Sequence, residues 1–195
     1  VDVSSAEEVN RSMDRLARDI APVTILVNNA AVYPRRDFLD ETPQSFMDSV
    51  AVNLGGFVNC SHAALRQMVL TGHGRILNVS TFADLAPIPL SSAYAVSKGA
   101  ARIFTKALRA DIEDRFPDIV INDWMPGVLA TEMGRADGIE PATAARWGVT
   151  LALWNDASLR GTLWERDQEM LPHRSLKGRI KDRLLLKSRS PRRLG

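Results

Sequence analysis

Three short apolar runs, each cut off by a polar or Gly/Pro cluster, constrain the fold of this chain more than any other feature. They are Thr24-Ile25-Leu26-Val27, Arg75-Ile76-Leu77-Asn78-Val79-Ser80 and Ile119-Val120-Ile121-Asn122-Asp123-Trp124. Apolar runs of this length without polar alternation predict strands buried on both faces. Helical patterns separate them. Residues 4–18 carry Val9, Met13 and Leu16 on one stripe, with Ser4 or Ser5 as cap and Glu7 and Glu8 in the first turn. Thr42-Pro43 opens a second helix running to about Val69, with Gly55-Gly56 as its weak point or kink. Ser91 or Ser92 caps a third helix that ends before Pro117. A fourth helix is expected around 141–154, followed by a short strand near Gly161-Thr162-Leu163-Trp164. Strands alternating with helices predict an α/β fold, a parallel sheet with helices on both faces.

In open α/β sheets ligands bind beyond the carboxyl ends of the strands. Three clusters fall there: Asn28-Asn29-Ala30-Ala31, Ser80-Thr81 and Pro126 to Thr131. The helix after the second strand brings Tyr94 and, one turn on, Lys98 to the same edge, and Thr81 stands thirteen residues before the tyrosine. A free phenol, with a pKa of about 10, is a poor acid or base near neutrality. An ammonium one turn away favours the phenolate, and a second hydroxyl can hold a substrate oxygen against it. The triplet therefore predicts proton transfer to or from an alcohol or carbonyl oxygen.

Other chemistries are disfavoured. The single cysteine, Cys60, excludes an internal disulfide framework and a multi-cysteine metal site, and His62, His73 and His173 lack ligand spacing. No metal is expected. No run is long enough to span a bilayer and no signal peptide opens the chain, so a reducing, cytoplasmic setting is expected. The net charge of +2 divides unevenly: residues 172–195 carry nine Lys/Arg and one acid, leaving −6 on the rest. Only this basic tail could touch nucleic acid or an anionic membrane. Its Leu176, Ile180 and Leu184 stripe suits an amphipathic helix, more simply packed on the body, while Ser188 to Gly195 are expected to be disordered.

With these motifs in place, the chain resembles the short-chain dehydrogenase/reductase family over residues 1 to about 165. Asn28-Asn29-Ala30-Ala31 is similar to the family's N-N-A-G segment, with Ala31 in place of glycine. Pro126-Gly127-Val128-Leu129-Ala130-Thr131 is similar to P-G-x-V-x-T, and Tyr94-x-x-x-Lys98 to the catalytic pair. The resemblance implies a Rossmann-like domain over 1–171 and NAD or NADP as hydride carrier. It assigns Tyr94 as general acid/base and Lys98 as the residue that lowers its pKa and binds the nicotinamide ribose. Thr81, where serine is usual, holds the substrate oxygen, and Asn53 holds a water of the proton relay. Asp2, Val3, Asn29, Ala30 and Ala31 would lie by the adenosine, and Pro126, Gly127, Leu129 and Thr131 by the nicotinamide and its phosphate. The family's glycine-rich turn, T-G-x-x-x-G-x-G, has no counterpart here. The first two strands and most of the third would precede Val1, leaving Thr24–Val27 as an apolar sheet edge.

Each motif also has a plainer reading. Asn28-Asn29 and Pro126-Gly127 could be turns, Asn53 could bend its helix, and Thr131 could cap one. Phe82, Leu85, Ile88, Leu90, Trp147 and Trp154 could line a pocket for a small or medium, largely apolar alcohol or ketone, or simply pack the core. The second and third helices carry many small residues, and the resemblance implies that subunits pair through them as a homodimer or homotetramer. A different class of function stays open: a truncated, non-catalytic relative acting through protein contacts.

Overall fold

The computed structural model describes residues 1–154, 156–171 and 190–194. Among these, helix α1 spans Ala6–Asp19, β1 Ile25–Asn28, α2 Pro43–Val50, α3 Gly56–Thr71 and β2 His73–Val79. Helix α4 spans Ser92–Ile112, β3 Asp118–Met125, α5 Pro141–Leu153, β4 Leu163–Glu165 and β5 Gln168–Met170. The sheet runs in the order β1-β2-β3-β4-β5, parallel through β4, with β5 antiparallel. This is the expected α/β, Rossmann-like architecture.

Side chains alternate across the sheet, so neighbours on one strand enter opposite cores. Ile76 and Ile121 face Leu65, Met68 and Ile112, under α3 and α4. Leu77 and Val120 face Leu151, Leu159, Trp124 and Trp164 on the α5 side. Full burial of each such aliphatic chain is worth about 1.5–3 kcal/mol. Trp147 and Trp154 pack against the α5-side core rather than standing in a cleft.

Several expectations need correction. The first strand is not covered on both faces: it pairs with β2 alone, and Ile25 and Val27 are 41% and 46% exposed while Leu26 and Asn28 are buried. Its apolar residues form the expected sheet edge. The weak point at Gly55-Gly56 is a π-helical turn over Ala51–Gly55, where the Gly56 N–H is shared between the Ala51 and Val52 carbonyls. Ser91 occupies the N-cap position of α4 but gives no side-chain cap, because its hydroxyl turns back to Ile88. Ser92 does not cap either; its buried Oγ has no partner.

The end of the chain is ordered where it is described. Leu194 is buried in the α5-side core, its N–H donates to the Asp167 carbonyl at 2.8 Å, and Arg192 pairs with Glu169 at 2.7 Å. The disorder expected for these residues is therefore wrong: an apolar residue beside Trp164 outweighs the basic composition around it. The proposed Leu176, Ile180 and Leu184 stripe lies outside the described residues. No helix among them is long and apolar enough to cross a membrane, and none of their His, Cys, Asp and Glu side chains group as a metal site.

Candidate active site

Parallel register carries the ends of β1, β2 and β3 to one edge: Asn28 lies beside Asn78, and Val79 beside Trp124. Of the loops that follow, 29–42 and 80–91 meet the start of α4 through Tyr33 and Thr81, and 126–140 joins the first of these through Arg35. Tyr94 lies in its first turn and Lys98 one turn deeper.

The two differ in surroundings. Lys98 is buried; its Nζ donates to the Val79 carbonyl at 2.9 Å and sits 4.8 Å over the Phe57 ring. Burial pulls its pKa down to about 8, opposed by the Asp123 carboxylate. Tyr94 is half-buried, and burial raises its pKa. A hydrogen bond with Thr81 works the other way, and Tyr33 adds to the rise. Burial outweighs the other influences on the phenol. The Lys98 ammonium is turned to the Val79 carbonyl at the end of β2, and Thr81 supplies a lowering contact at Tyr94.

Asn53 is fully buried in the π-helical turn. Its amide donates to the Val32 carbonyl at 3.0 Å and to Ser97 Oγ at 2.9 Å, and its oxygen accepts from the Val32 N–H at 2.7 Å. Ser97 Oγ donates onward to the Tyr94 carbonyl at 2.9 Å. The side chain therefore ties the loop after β1 to α4. Both amide hydrogens are spent, so a relay water would use the remaining oxygen lone pair or the main chain.

The cofactor candidates separate into two kinds. Asn29 and Ala30 are exposed at the edge and Ala31 is half-buried, whereas Asn28 turns inward to Ser61 Oγ at 3.0 Å and Asn78 Oδ1 at 2.7 Å. Of the asparagine pair, the first is structural and the second faces solvent. Gly127 has φ +87, a left-handed conformation that disfavours other residues. Leu129 bridges to Ile139, and its carbonyl accepts from the Thr131 and Arg135 N–H groups. Thr131 caps no helix; its Oγ1 accepts from the Gly134 N–H at 3.2 Å inside this loop. Asp2 closes a local turn, accepting from the Ser4 N–H and Oγ at 2.9 and 2.8 Å, and those bonds hold its carboxyl below the usual range. The Val3 carbonyl accepts from Asn59 at 2.9 Å. Neither residue is frayed; both are anchored beside α3.

Two side chains at this edge were not anticipated. Tyr33 stacks on Tyr94, with ring centroids 4.4 Å apart and planes at 21°. Arg35 lies over the other face of the same layer, 5.1 Å from the Tyr33 centroid. Neither belongs to a motif; in sequence they are part of a polar loop.

A family model described as short chain dehydrogenase matches residues 1–141. The chain belongs to the short-chain dehydrogenase family. It is 36% identical over 139 residues to a probable oxidoreductase, EphD, of Mycobacterium tuberculosis, a match covering 71% of this chain and 23% of that protein. It is 29% identical over 155 residues to the 5-keto-D-gluconate 5-reductase of Escherichia coli, covering 75% of this chain and 60% of that one. Among solved structures, a gluconate 5-dehydrogenase from Burkholderia cenocepacia in complex with NADP and tartrate superimposes with a TM-score of 0.66 at 30% identity, covering 80% of this chain and 62% of that one. The chain thus spans only 23–60% of the length of these two curated relatives.

Proposed function

We propose that this chain carries the catalytic portion of an NAD- or NADP-dependent oxidoreductase that interconverts an alcohol and a carbonyl compound. The observation that supports it most directly is the convergence at the carboxyl edge of the sheet of Tyr94, of Thr81, which pulls the phenol's pKa down, and of Lys98 one turn away. The donor set suits a hydroxylated, nucleotide-sized ligand. Lys98 spends one N–H on Val79 and keeps others for a ribose, Gly127 presents bare backbone, and Asn29 and Ala30 leave the adjoining edge open. A bound nicotinamide would supply or accept the hydride. NADP in the gluconate 5-dehydrogenase structure supports this choice of ligand class.

The residues of the chain handle the proton. In the reductive direction the Tyr94 hydroxyl donates to the substrate oxygen as the carbon is reduced, and Thr81 steadies both oxygens by hydrogen bonding. Burial keeps the phenol protonated at neutral pH, which favours its use as a donor. Asn53 and Ser97 hold the start of α4 against the loop that carries Tyr33. Val58, Val96 and Ile103 leave apolar surface on α3 and α4 that suits self-association into a homodimer or homotetramer.

Tyr94→Phe is the test. It removes one hydroxyl and keeps the ring stacked on Tyr33. Steady-state turnover with NADPH or NADH and a carbonyl panel should fall by about three orders of magnitude or more with the circular dichroism spectrum unchanged. Retention of most of the rate would exclude Tyr94 as the acid.

A further inference from the structure

We propose that Arg35 anchors a substrate carboxylate, so that this site acts on a hydroxy or oxo acid rather than on the largely apolar compound expected from Phe82, Leu85, Ile88 and Leu90. The proposal rests on the oxidoreductase reading of Tyr94. Its starting point is a three-layer stack, Arg35 on Tyr33 on Tyr94. The guanidinium therefore stands two stacking distances from the group that would protonate the substrate.

The stack is built, not incidental. Asn53 clamps Val32 through both its N–H and its carbonyl, which fixes the residue before Tyr33. Arg35 Nη2 donates to the Met133 and Gly134 carbonyls at 2.8 and 3.2 Å, joining the loop after β1 to the loop after β3. Its backbone has φ +50, an uncommon conformation for a long side chain. Residues held in such conformations cost free energy and cluster at ligand sites.

The charge is the second observation. Arg35 is held by two neutral carbonyls and a ring face, and none of the ion pairs among the described residues includes it. Its neighbour across the cleft, Arg135, is already paired with Asp137 at 2.9 Å. In the loop that carries Arg35, Asp37 is turned to the Leu39 N–H at 3.0 Å. Arg35 thus keeps an uncompensated positive charge, with Nε and Nη1 outside those two carbonyl bonds. Either group can give a single charge-assisted hydrogen bond to a carboxylate oxygen, since both paired edges of the guanidinium need Nη2, which the carbonyls hold. In the loop before α4, Leu85, Ile88 and Leu90 are exposed apolar residues. An acid whose carboxylate is separated from its reacting carbon by a short chain would pass along the edge of Tyr33 to reach from Arg35 to Tyr94.

Matched probes test this on the chain without cofactor: D-gluconate, and D-sorbitol, which replaces the carboxylate by a neutral CH2OH. The readouts are the Arg35 Nε–H and Tyr33 ring signals in NMR titrations. Gluconate should shift both and bind about tenfold or more tightly than sorbitol, and Arg35→Gln should abolish the difference. Arg35→Lys, which keeps the charge, should retain part of it and guards against a folding defect in the glutamine variant. Equal binding of the two probes, no response to gluconate at millimolar concentration, or an unchanged preference in Arg35→Gln would overturn the proposal. A separate titration with NADP+ identifies the source of the anion: an Arg35 response to NADP+ but not to gluconate would assign the guanidinium to a cofactor phosphate and sink it. Gluconate binding that persists in an active Tyr94→Phe protein would instead leave Arg35 in place and remove the tyrosine mechanism.

Discussion

Replacing Asp123 by asparagine should make the protein more stable at pH 8 and change it little at pH 4. Asp123 is buried, and Thr105 Oγ1 donates to it at 2.8 Å. Burial lifts its pKa from 3.8 to about 7, with Thr105, Arg102 and Lys106 pulling it down and Asp84 pushing it up. Its folded pKa is above its unfolded one, so the native state binds the extra proton between about pH 4 and 7. Stability is therefore full below pH 4 and falls as pH rises through 7. Three pH units at about 1.4 kcal/mol each set an upper bound of roughly 4 kcal/mol on that loss. Asparagine keeps an acceptor for Thr105 and has no such loss. Lys98, depressed to about 8, changes charge in the folded state above this window. Asp2, Glu140 and Asp156, all lowered, act below it. Urea unfolding of both proteins from pH 4 to 8 reads the difference directly. The gap should open by up to about 4 kcal/mol in favour of the variant; parallel profiles would mean that Asp123 ionises freely in the folded protein.

Two further changes probe the scaffold of the site and the end of the chain. Asn53→Ala leaves the Val32 N–H and carbonyl without their partner and should cost about 1–3 kcal/mol. Hydrogen exchange at the Val32 amide should accelerate more than at Ile76 in the sheet, and equal acceleration would point to general loosening instead. Leu194→Ala should cost about 2 kcal/mol in chemical denaturation because Leu194 is 5% exposed against the Trp164 core. No change would mean that the terminus does not hold its place in solution.

The sequence carried the parallel sheet because period, length and chain punctuation agree there. The strand boundaries fell within a few residues, and Tyr94, Lys98 and Thr81 met at one edge because register leaves their positions little freedom. What escaped was set by contacts between distant residues. Nothing local in Gln168-Glu169-Met170 signals a strand; β5 forms because the turn at Arg166, with φ +53, folds it back onto β4. Nothing in Ser190-Pro191-Arg192-Arg193-Leu194 signals order, which comes from Glu169 and Trp164. Tyr33 and Arg35 escaped for the same reason, since their partners lie some 60 and 100 residues away along the chain.

The tyrosine itself shows how spacing and environment can disagree. A lysine at i+4 on an exposed helix face would stabilise a phenolate. Here the helix is half-sunk in the sheet edge, and the same spacing sends Lys98 inward to the Val79 carbonyl and the Phe57 face. Burial then acts on both groups in opposite directions, lowering the lysine and raising the tyrosine. Each shift favours the neutral form, so the pair is set up as a phenol and a weakened ammonium, not as a phenolate beside a full charge. Tyr33 reinforces this by covering one face of the Tyr94 ring, while Thr81 supplies a hydrogen bond that stabilises the anion once the proton has left. A phenol in these surroundings can give up a proton and take one back, which is what acid/base exchange with a neighbouring oxygen requires.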